Sequence, residues 1–181
     1  MKADPNGWLS GVRRIASPNC DQRPPGTTID LLVIHNISLP PDQFGGQGIV
    51  KFFTNQLESD AHPYYTQLKG VTVSSHFLIR RDGRIVQFVP CRQRAWHAGV
   101  SNWQGRTRCN DFSIGIEMEG SDFVPFTDQQ YTALVRLTRR VQRVYPIPNN
   151  AGHSDIAPGR KTDPGPYFDW SRYRATLKPV K

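Results

Sequence analysis

Two histidines and an aspartate are the residues of this sequence best suited to chemistry. His35 ends an apolar segment, LLVIH, and His153 lies ten residues before Asp163 in a loop rich in glycine and proline. Imidazole and carboxylate groups are ligands that suit zinc, and three protein ligands leave the fourth tetrahedral position free for water. Each residue alone is weak support. A lone histidine is more often a hydrogen-bonded polar residue than a ligand, and an aspartate before proline commonly forms a turn. Together the three make an open, hydrolytic zinc site the leading hypothesis.

The segment that carries His35 predicts a strand. Residues 28–38 form a short, apolar run rich in β-branched residues, which is typical of a strand buried on both faces. Side chains alternate along a strand, so Leu31, Val33 and His35 share one face. We therefore expect His35 to point out of the sheet near the C-terminal end of its strand, where pockets of α/β sheets open.

Three further strands are predicted from turn and alternation signals. Residues 74–81 and 84–90 are joined by Asp82-Gly83, a strong hairpin signal. Residues 112–119 alternate between apolar and polar or small side chains, which predicts a strand with Glu117 on one face. Residues 91–111 lack periodicity and predict a long irregular loop of the kind that is commonly functional.

Helices are predicted in three places. Residues 48–57 favour a short helix, and Thr127 with Gln130 forms a capping box that begins a long helix to about residue 145. A last short helix begins near Asp169 and buries apolar side chains. Strands mixed with helices around one sheet predict an α/β or α+β fold, and the length fits one domain over residues 1–181.

Composition excludes several classes of protein. The N-terminal segment lacks the apolar run of a signal peptide, and no segment approaches the roughly 20 apolar residues of a membrane-spanning helix. We therefore expect a cytoplasmic protein. Cys20, Cys91 and Cys109 are too few and too scattered for a disulfide framework, so they are interpreted as reduced packing residues rather than ligands or nucleophiles.

The charge balance favours anionic partners. Lysine and arginine number 23 against 15 acidic residues, a net charge of +8. Arg136, Arg139, Arg140 and Arg143 fall on one helical face, for which a solvated surface is the simpler interpretation and attraction to nucleic acid or an anionic surface is the alternative.

Five blocks of sequence carry a resemblance to a known family. They are LVIHNISLPP at 32–41, SHFLIRRDGRIVQ at 75–87, AWHAGVS at 95–101, CNDFSIGIEMEG at 109–120 and GHSDIAPGRKTDPG at 152–165. In this order they closely resemble the zinc-dependent N-acetylmuramoyl-L-alanine amidases, in particular the cytosolic enzymes that act on 1,6-anhydromuramoyl peptides. The likeness runs from about Gly7 to the last helix, and extends more distantly to peptidoglycan recognition proteins and phage lysozyme-like amidases. It implies their fold, a central mixed β-sheet flanked by helices.

The resemblance also implies roles for individual residues. His35, His153 and Asp163 match the positions that hold zinc, while Glu117 and Lys161 match those that carry acid-base and electrostatic work. A carboxylate beside zinc could take a proton from water and pass it to the departing nitrogen, and a lysine could stabilise the oxyanion. Taken without the resemblance, Glu117 is more simply a solvent-facing carboxylate and Lys161 a surface lysine.

Two other histidines could be proposed as a third nitrogen ligand. His76 lies in a predicted strand and His97 in the loop that follows. For both we prefer a role in the core or in support of the ligands, and His62 is interpreted as a loop residue.

The implied substrate is a lactyl-amide bond between muramic acid and the L-alanine of a peptide. Such a muropeptide is anionic, so a basic cleft would concentrate it. Asn36 and Arg108 match positions that contact sugar and peptide in the family, and Tyr64 and Trp96 are candidate apolar walls for which structural packing is nearly as good an interpretation. Thr72 departs from close relatives that have arginine there, which puts anchoring of the sugar from that side in doubt.

The leading hypothesis is thus a cytoplasmic zinc amidase of cell-wall recycling, a monomer that binds neither nucleic acid nor membrane. A muropeptide-binding module of the same fold is the alternative, disfavoured because it has no need of all five site residues. A nucleic-acid-binding protein is supported by net charge alone.

Overall fold

Strands and helices are interspersed along the chain in the computed structural model, which describes residues 4–177. The strands are β1 (Arg13–Arg14), β2 (Cys20–Gln22), β3 (Leu31–Ile37), β4 (Phe77–Ile79), β5 (Ile85–Gln87), β6 (Gln93–Ala95), β7 (Asn102–Trp103), β8 (Arg106–Thr107), β9 (Ser113–Glu119) and β10 (Asn149–Gly152). The α-helices are α1 (Gly48–Phe53), α2 (Asp128–Gln142), α3 (His153–Ile156) and α4 (Trp170–Leu177). Shorter 3-10 helices lie at Pro63–Leu68 and Cys109–Asp111. The two ends of the expected domain, residues 1–3 and 178–181, lie outside the described residues.

A six-stranded sheet of order β1-β5-β4-β9-β3-β10 forms the centre of the fold. The β4–β5 hairpin is antiparallel and the other neighbouring pairs are parallel. Helices pack on both faces, so the predicted central mixed sheet flanked by helices is confirmed. No helix within residues 4–177 is long and apolar enough to cross a membrane.

The two inner strands, β3 and β9, are buried on both faces, as expected of parallel strands covered by other elements. Their register pairs Leu31 with Ser113 and continues to His35 opposite Glu117. Since paired residues of parallel strands point to the same side, this register brings two candidate site residues next to each other.

Helix α2 covers one face of the sheet. The capping box is confirmed: the Thr127 hydroxyl accepts from the Gln130 backbone N–H and the Gln130 side chain accepts from the Thr127 N–H, both at 3.1 Å. Leu134 and its apolar neighbours pack against the outward side chains of β9, such as Ile116. Helix α4 docks on α2 through Tyr173, whose hydroxyl lies 2.8 Å from that of Thr138.

The opposite face carries α1, the long loops and the candidate site. Several elements are shorter than the sequence predicts: α1 ends at Phe53 because Thr54 turns its hydroxyl back to the Val50 carbonyl at 2.8 Å, and Asn55 adopts a positive φ of 59°. The 91–111 segment, predicted to be irregular, contains β6, β7 and β8. Arg94 holds it by pairing with Asp21 on β2 and with Asp111, contacts that periodicity cannot reveal.

Candidate metal centre

Three potential ligand atoms converge at the C-terminal edge of β3. The Nδ1 atoms of His35 and His153 lie 3.0 Å apart, and each is 3.0 Å from Oδ2 of Asp163. Both imidazoles are buried, and the Asp163 side chain is 14% exposed. These are the three residues that the sequence predicts to bind zinc.

The backbone explains how residues so distant in sequence meet. Strand β10 pairs in parallel with β3, with Gly152 opposite Ile34, so His153 follows directly beside His35. The loop after α3 then returns to the same point, because the backbone N–H of Ser154 donates to the carbonyl of Asp163 at 2.9 Å.

The outer nitrogens of both histidines have partners that orient the rings. Nε2 of His153 lies 3.1 Å from the carbonyl of Ala98, which can only accept, so the proton of the neutral ring sits on Nε2. Nε2 of His35 lies 2.9 Å from Nδ1 of His97, whose Nε2 in turn lies 3.2 Å from the Ser113 hydroxyl. When the proton of the neutral His35 ring is on Nε2, the lone pair of Nδ1 is available to a metal ion.

This donor set fits a zinc ion. Two imidazole lone pairs and a carboxylate oxygen face one point, and tetrahedral ligands at about 2.0–2.1 Å from a metal are roughly 3.3 Å apart, close to the 3.0 Å separations here. Burial lowers the pKa of His35 to about 4, although the nearby Asp163 carboxylate opposes this, so the ring is neutral at pH 7. Burial would raise the pKa of Asp163, but its contacts with the two histidines outweigh that and lower it.

Glu117 lies beside this cluster and is itself buried, with 7% exposure. Burial, followed by the negative charge of Asp163, raises its pKa well above the usual value, while the nearby Lys161 partly offsets the rise. A carboxyl group with a raised pKa can both accept and release a proton near neutral pH. The interpretation of Glu117 as a solvent-facing carboxylate is therefore wrong for this structure.

A pocket of about 370 Å³ opens onto the cluster. Its wall includes the three candidate metal ligands and Glu117, together with Asn36, Tyr64, Trp96 and Lys161. The Asn36 side-chain amide donates to Asp122 at 2.7 Å, which fixes its orientation. Lys161 is exposed at the rim, where its ammonium is free to approach a bound carbonyl.

Arg108 lies apart from this pocket. It lines a neighbouring cleft of about 280 Å³ that shares Trp96 with the pocket. Its backbone is left-handed, with φ of 59°, and its side chain is 70% exposed and lies 3.3 Å from Asp111. A contact of Arg108 with substrate therefore requires a ligand that extends past Trp96.

Three residues support the ligands; a supporting role was predicted for His97, whereas Arg160 and Gly115 were not singled out. His97 contacts His35 as described, and Arg160 donates to the carbonyls of Ala98 and Val100 at 2.7 Å, which fixes the acceptor of His153. Gly115 lies beneath the His97 ring, since a Cβ there would be 2.6 Å from the ring. Glycine inside a strand often marks close approach of another group, so this signal was available in the sequence.

Comparison with known proteins agrees with this geometry. The sequence matches the N-acetylmuramoyl-L-alanine amidase family over residues 25–166. It is 57% identical over 173 residues to the 1,6-anhydro-N-acetylmuramyl-L-alanine amidase AmpD of Escherichia coli (strain K12), a match that covers 94% of each chain. The fold is similar to the crystal structure of a selenomethionine derivative of AmpD, with a TM-score of 0.95 and 54% identity over 98% of this chain and 100% of that one. It is also similar to the amidase AmiD from E. coli in complex with the substrate anhydro-N-acetylmuramic acid-L-Ala-D-γ-Glu-L-Lys, with a TM-score of 0.60 and 34% identity over 86% of this chain and 60% of that one.

Proposed function

The chain belongs to the N-acetylmuramoyl-L-alanine amidase family, and we propose that it hydrolyses the lactyl-amide bond between 1,6-anhydro-N-acetylmuramic acid and the L-alanine of the stem peptide, using zinc. The observation that carries the proposal is the convergence of His35, His153 and Asp163 lone pairs beside the buried Glu117. The reaction adds water across the amide: the C–N bond breaks, and a carboxylic acid and an amine are released.

Each step assigns a task to a residue of this chain. Zinc held by the three ligands would polarise the scissile carbonyl and lower the pKa of a bound water to about 7. Glu117 takes a proton from the attacking water and passes it to the leaving nitrogen, a task that suits its raised pKa. Lys161 places a positive charge at the pocket rim, where it stabilises the oxyanion formed from the carbonyl.

His97 and Arg160 act indirectly in this proposal. Each supports a ligand: His97 through its contact with Nε2 of His35, and Arg160 through the Ala98 carbonyl that orients His153. Such outer partners fix the ring orientation and the tautomer of a metal-binding histidine. The ligands are therefore held in place before the cation arrives.

The pocket supports an anionic muropeptide as the substrate class. Asn36 offers polar groups, and Tyr64 and Trp96 offer apolar surface, along one continuous wall. AmiD, which is 34% identical, is described in complex with an anhydromuramoyl tripeptide. We propose that the sugar and peptide lie along this wall, with the lactyl carbonyl beside the three ligands.

The test is release of peptide from a purified anhydromuramoyl-peptide. We expect turnover by the purified protein, loss of turnover on treatment with a chelator, and recovery on addition of zinc. Full turnover by protein shown to be metal-free by elemental analysis would exclude the proposed mechanism.

The same assay separates the enzyme from a muropeptide-binding module of this fold. A binding module would retain the muropeptide without releasing its peptide, whatever metal is supplied. We further propose that the chain acts as a monomeric single domain in the cytoplasm, which sedimentation and cell fractionation test directly.

A further inference from the structure

A second and larger cavity wraps around the β1 edge of the sheet, between α1 and α2. We call it the arginine cleft; it has a volume of about 740 Å³. Its cationic lining residues are all arginines: Arg13 of β1, Arg80, Arg81 and Arg84 around the β4–β5 turn, Arg136 and Arg140 of α2, and Arg143 directly after α2. The cleft thus gathers seven of the chain's arginines, and its acidic lining residues are Asp82 and Glu119.

The two carboxylates compensate only two of these charges. Glu119 accepts from Arg80 at 2.8 Å, and it also accepts from the backbone N–H groups of Gly45 and Arg81 at 2.8 and 3.0 Å. Asp82 pairs with Arg84 at 2.5 Å. An excess of five positive charges therefore remains within one concave surface.

Three of the uncompensated arginines are free to rearrange around a ligand. Arg13, Arg136 and Arg143 are exposed, and none forms an ion pair with a carboxylate in the part of the chain that the structure describes. They lie on two different walls of the lining: Arg13 belongs to β1, whereas Arg136 belongs to α2 and Arg143 directly follows it. Like charges gathered in one cleft repel one another unless an anion lies between them.

The other two uncompensated arginines, Arg81 and Arg140, are held in place by hydrogen bonds, and each has a nitrogen without a hydrogen-bond partner in the described part of the chain. Arg140 donates to the Ser10 carbonyl at 2.7 Å and Arg81 to the Pro125 carbonyl at 2.8 Å, which orients both guanidinium groups without neutralising them. Nε of Arg140 and Nη1 of Arg81 are buried and have no hydrogen-bond partner among residues 4–177. A buried donor without a partner is unfavourable, and because neither atom is exposed to the cleft here, each guanidinium group must turn toward a bound anion to use it.

We propose that the arginine cleft binds a small soluble diphosphate ester of about nucleotide size. Guanidinium groups match phosphate oxygens in a bidentate geometry, and a diphosphate carries enough charge to engage both walls at once. Val12, Ile15, Val50 and Ile85 add apolar surface to the lining, which suits an organic group attached to the diphosphate. The volume lies within the roughly 300–1,000 Å³ typical of small-molecule sites.

Calorimetric titration of the purified protein with orthophosphate, pyrophosphate and adenosine diphosphate tests this assignment. We expect pyrophosphate to bind at least 10-fold more tightly than orthophosphate, and adenosine diphosphate to bind at least as tightly as pyrophosphate. The variant Arg13→Gln/Arg136→Gln removes one charge from each wall and should weaken both diphosphates more than 10-fold. Its amidase turnover should equal that of the wild type, which shows that the variant is folded.

A matched control separates a built site from a general basic field. Arg92→Gln/Arg174→Gln makes the same change in net charge at exposed positions outside the cleft, and should alter diphosphate binding less than 3-fold. Equal weakening by both variant pairs, or a DNA duplex that binds more tightly than adenosine diphosphate, would overturn the proposal in favour of diffuse attraction. Diphosphate binding that neither pair weakens would assign the anion to another place, and no binding by any of the three probes would refute the site.

Discussion

Replacement of Gly115 by alanine tests whether His97 positions the candidate ligand His35. Gly115 of β9 pairs with Val33 of β3, and its backbone N–H donates to Nδ1 of His76 at 3.0 Å, so its backbone is held on both sides. A Cβ at this position would lie 2.6 Å from Cγ of His97 and 2.8 Å from its Nδ1. Because the inner strand cannot easily move, we expect the imidazole ring to be displaced.

The size of the displacement follows from these distances. Moving the ring from 2.6 Å to an ordinary contact of 3.4 Å requires a shift of about 0.8 Å. The hydrogen bond between His97 and His35 is 2.9 Å long and can lengthen by only about 0.3 Å within the usual range. Loss of such an outer partner typically costs 10- to 100-fold in metal affinity, and overpacking a core typically costs about 1–3 kcal/mol of stability.

The assay is competition for zinc between the variant protein and a chromophoric chelator, combined with urea unfolding. Gly46→Ala is the matched control, because a Cβ there meets nothing within 4 Å and should leave both quantities unchanged. The double variant Gly115→Ala/His97→Ala removes the clash and should regain stability without regaining zinc affinity. Wild-type zinc affinity in Gly115→Ala would refute the reasoning that His97 orients His35.

Three further predictions concern catalysis, acid sensitivity and helix docking. Glu117→Gln should retain zinc by elemental analysis but lose at least about 10²-fold in kcat for an anhydromuramoyl-peptide, the scale of positioned acid-base catalysis; near-normal kcat would remove Glu117 from its role. Burial holds the pKa of His76 well below 6.5, so the unfolded chain binds a proton below that pH that the folded protein does not. The free energy of unfolding should therefore fall as the pH drops below 6.5, by about 1.4 kcal/mol per pH unit from this ring, and urea unfolding of His76→Gln at several pH values should show a correspondingly shallower slope. Tyr173→Phe removes the partner of the buried Thr138 hydroxyl and should cost about 1–3 kcal/mol in urea unfolding, whereas Tyr167→Phe, at an exposed position, should cost almost nothing.

Patterns within single segments predicted much of the fold. The alternation in residues 112–119 and the apolar run that ends at His35 identified β9 and β3, and the Asp82-Gly83 turn identified the β4–β5 hairpin. These elements were predictable because their signals, burial on a strand face and a tight turn, are local. The same alternation is the reason that Glu117 could be assigned to a face at all.

Elements that depend on distant partners could not be predicted in this way. Strand β10 has the sequence NNAG, which carries no strand signal, and it is extended because it pairs with the already buried β3. The two ends of the 91–111 segment are held from outside it by Arg23, which donates to the backbone carbonyls of Cys91, Asn110 and Asp111 and to that of Ser113 in β9. Contacts across 68 to 90 residues leave no local pattern to detect.

The burial of the candidate site connects its folding to its chemistry. Burying His35 is unfavourable for its charged form, so its pKa falls to about 4 and protons do not compete for Nδ1 at neutral pH. The same burial leaves three electron-rich atoms within 3.0 Å of one another, an arrangement that repels unless a cation lies between them. Metal binding should therefore stabilise the folded protein as well as enable hydrolysis, because the free energy of binding adds to that of folding. A thermal unfolding midpoint that does not rise when zinc is added to chelator-treated protein would contradict this coupling.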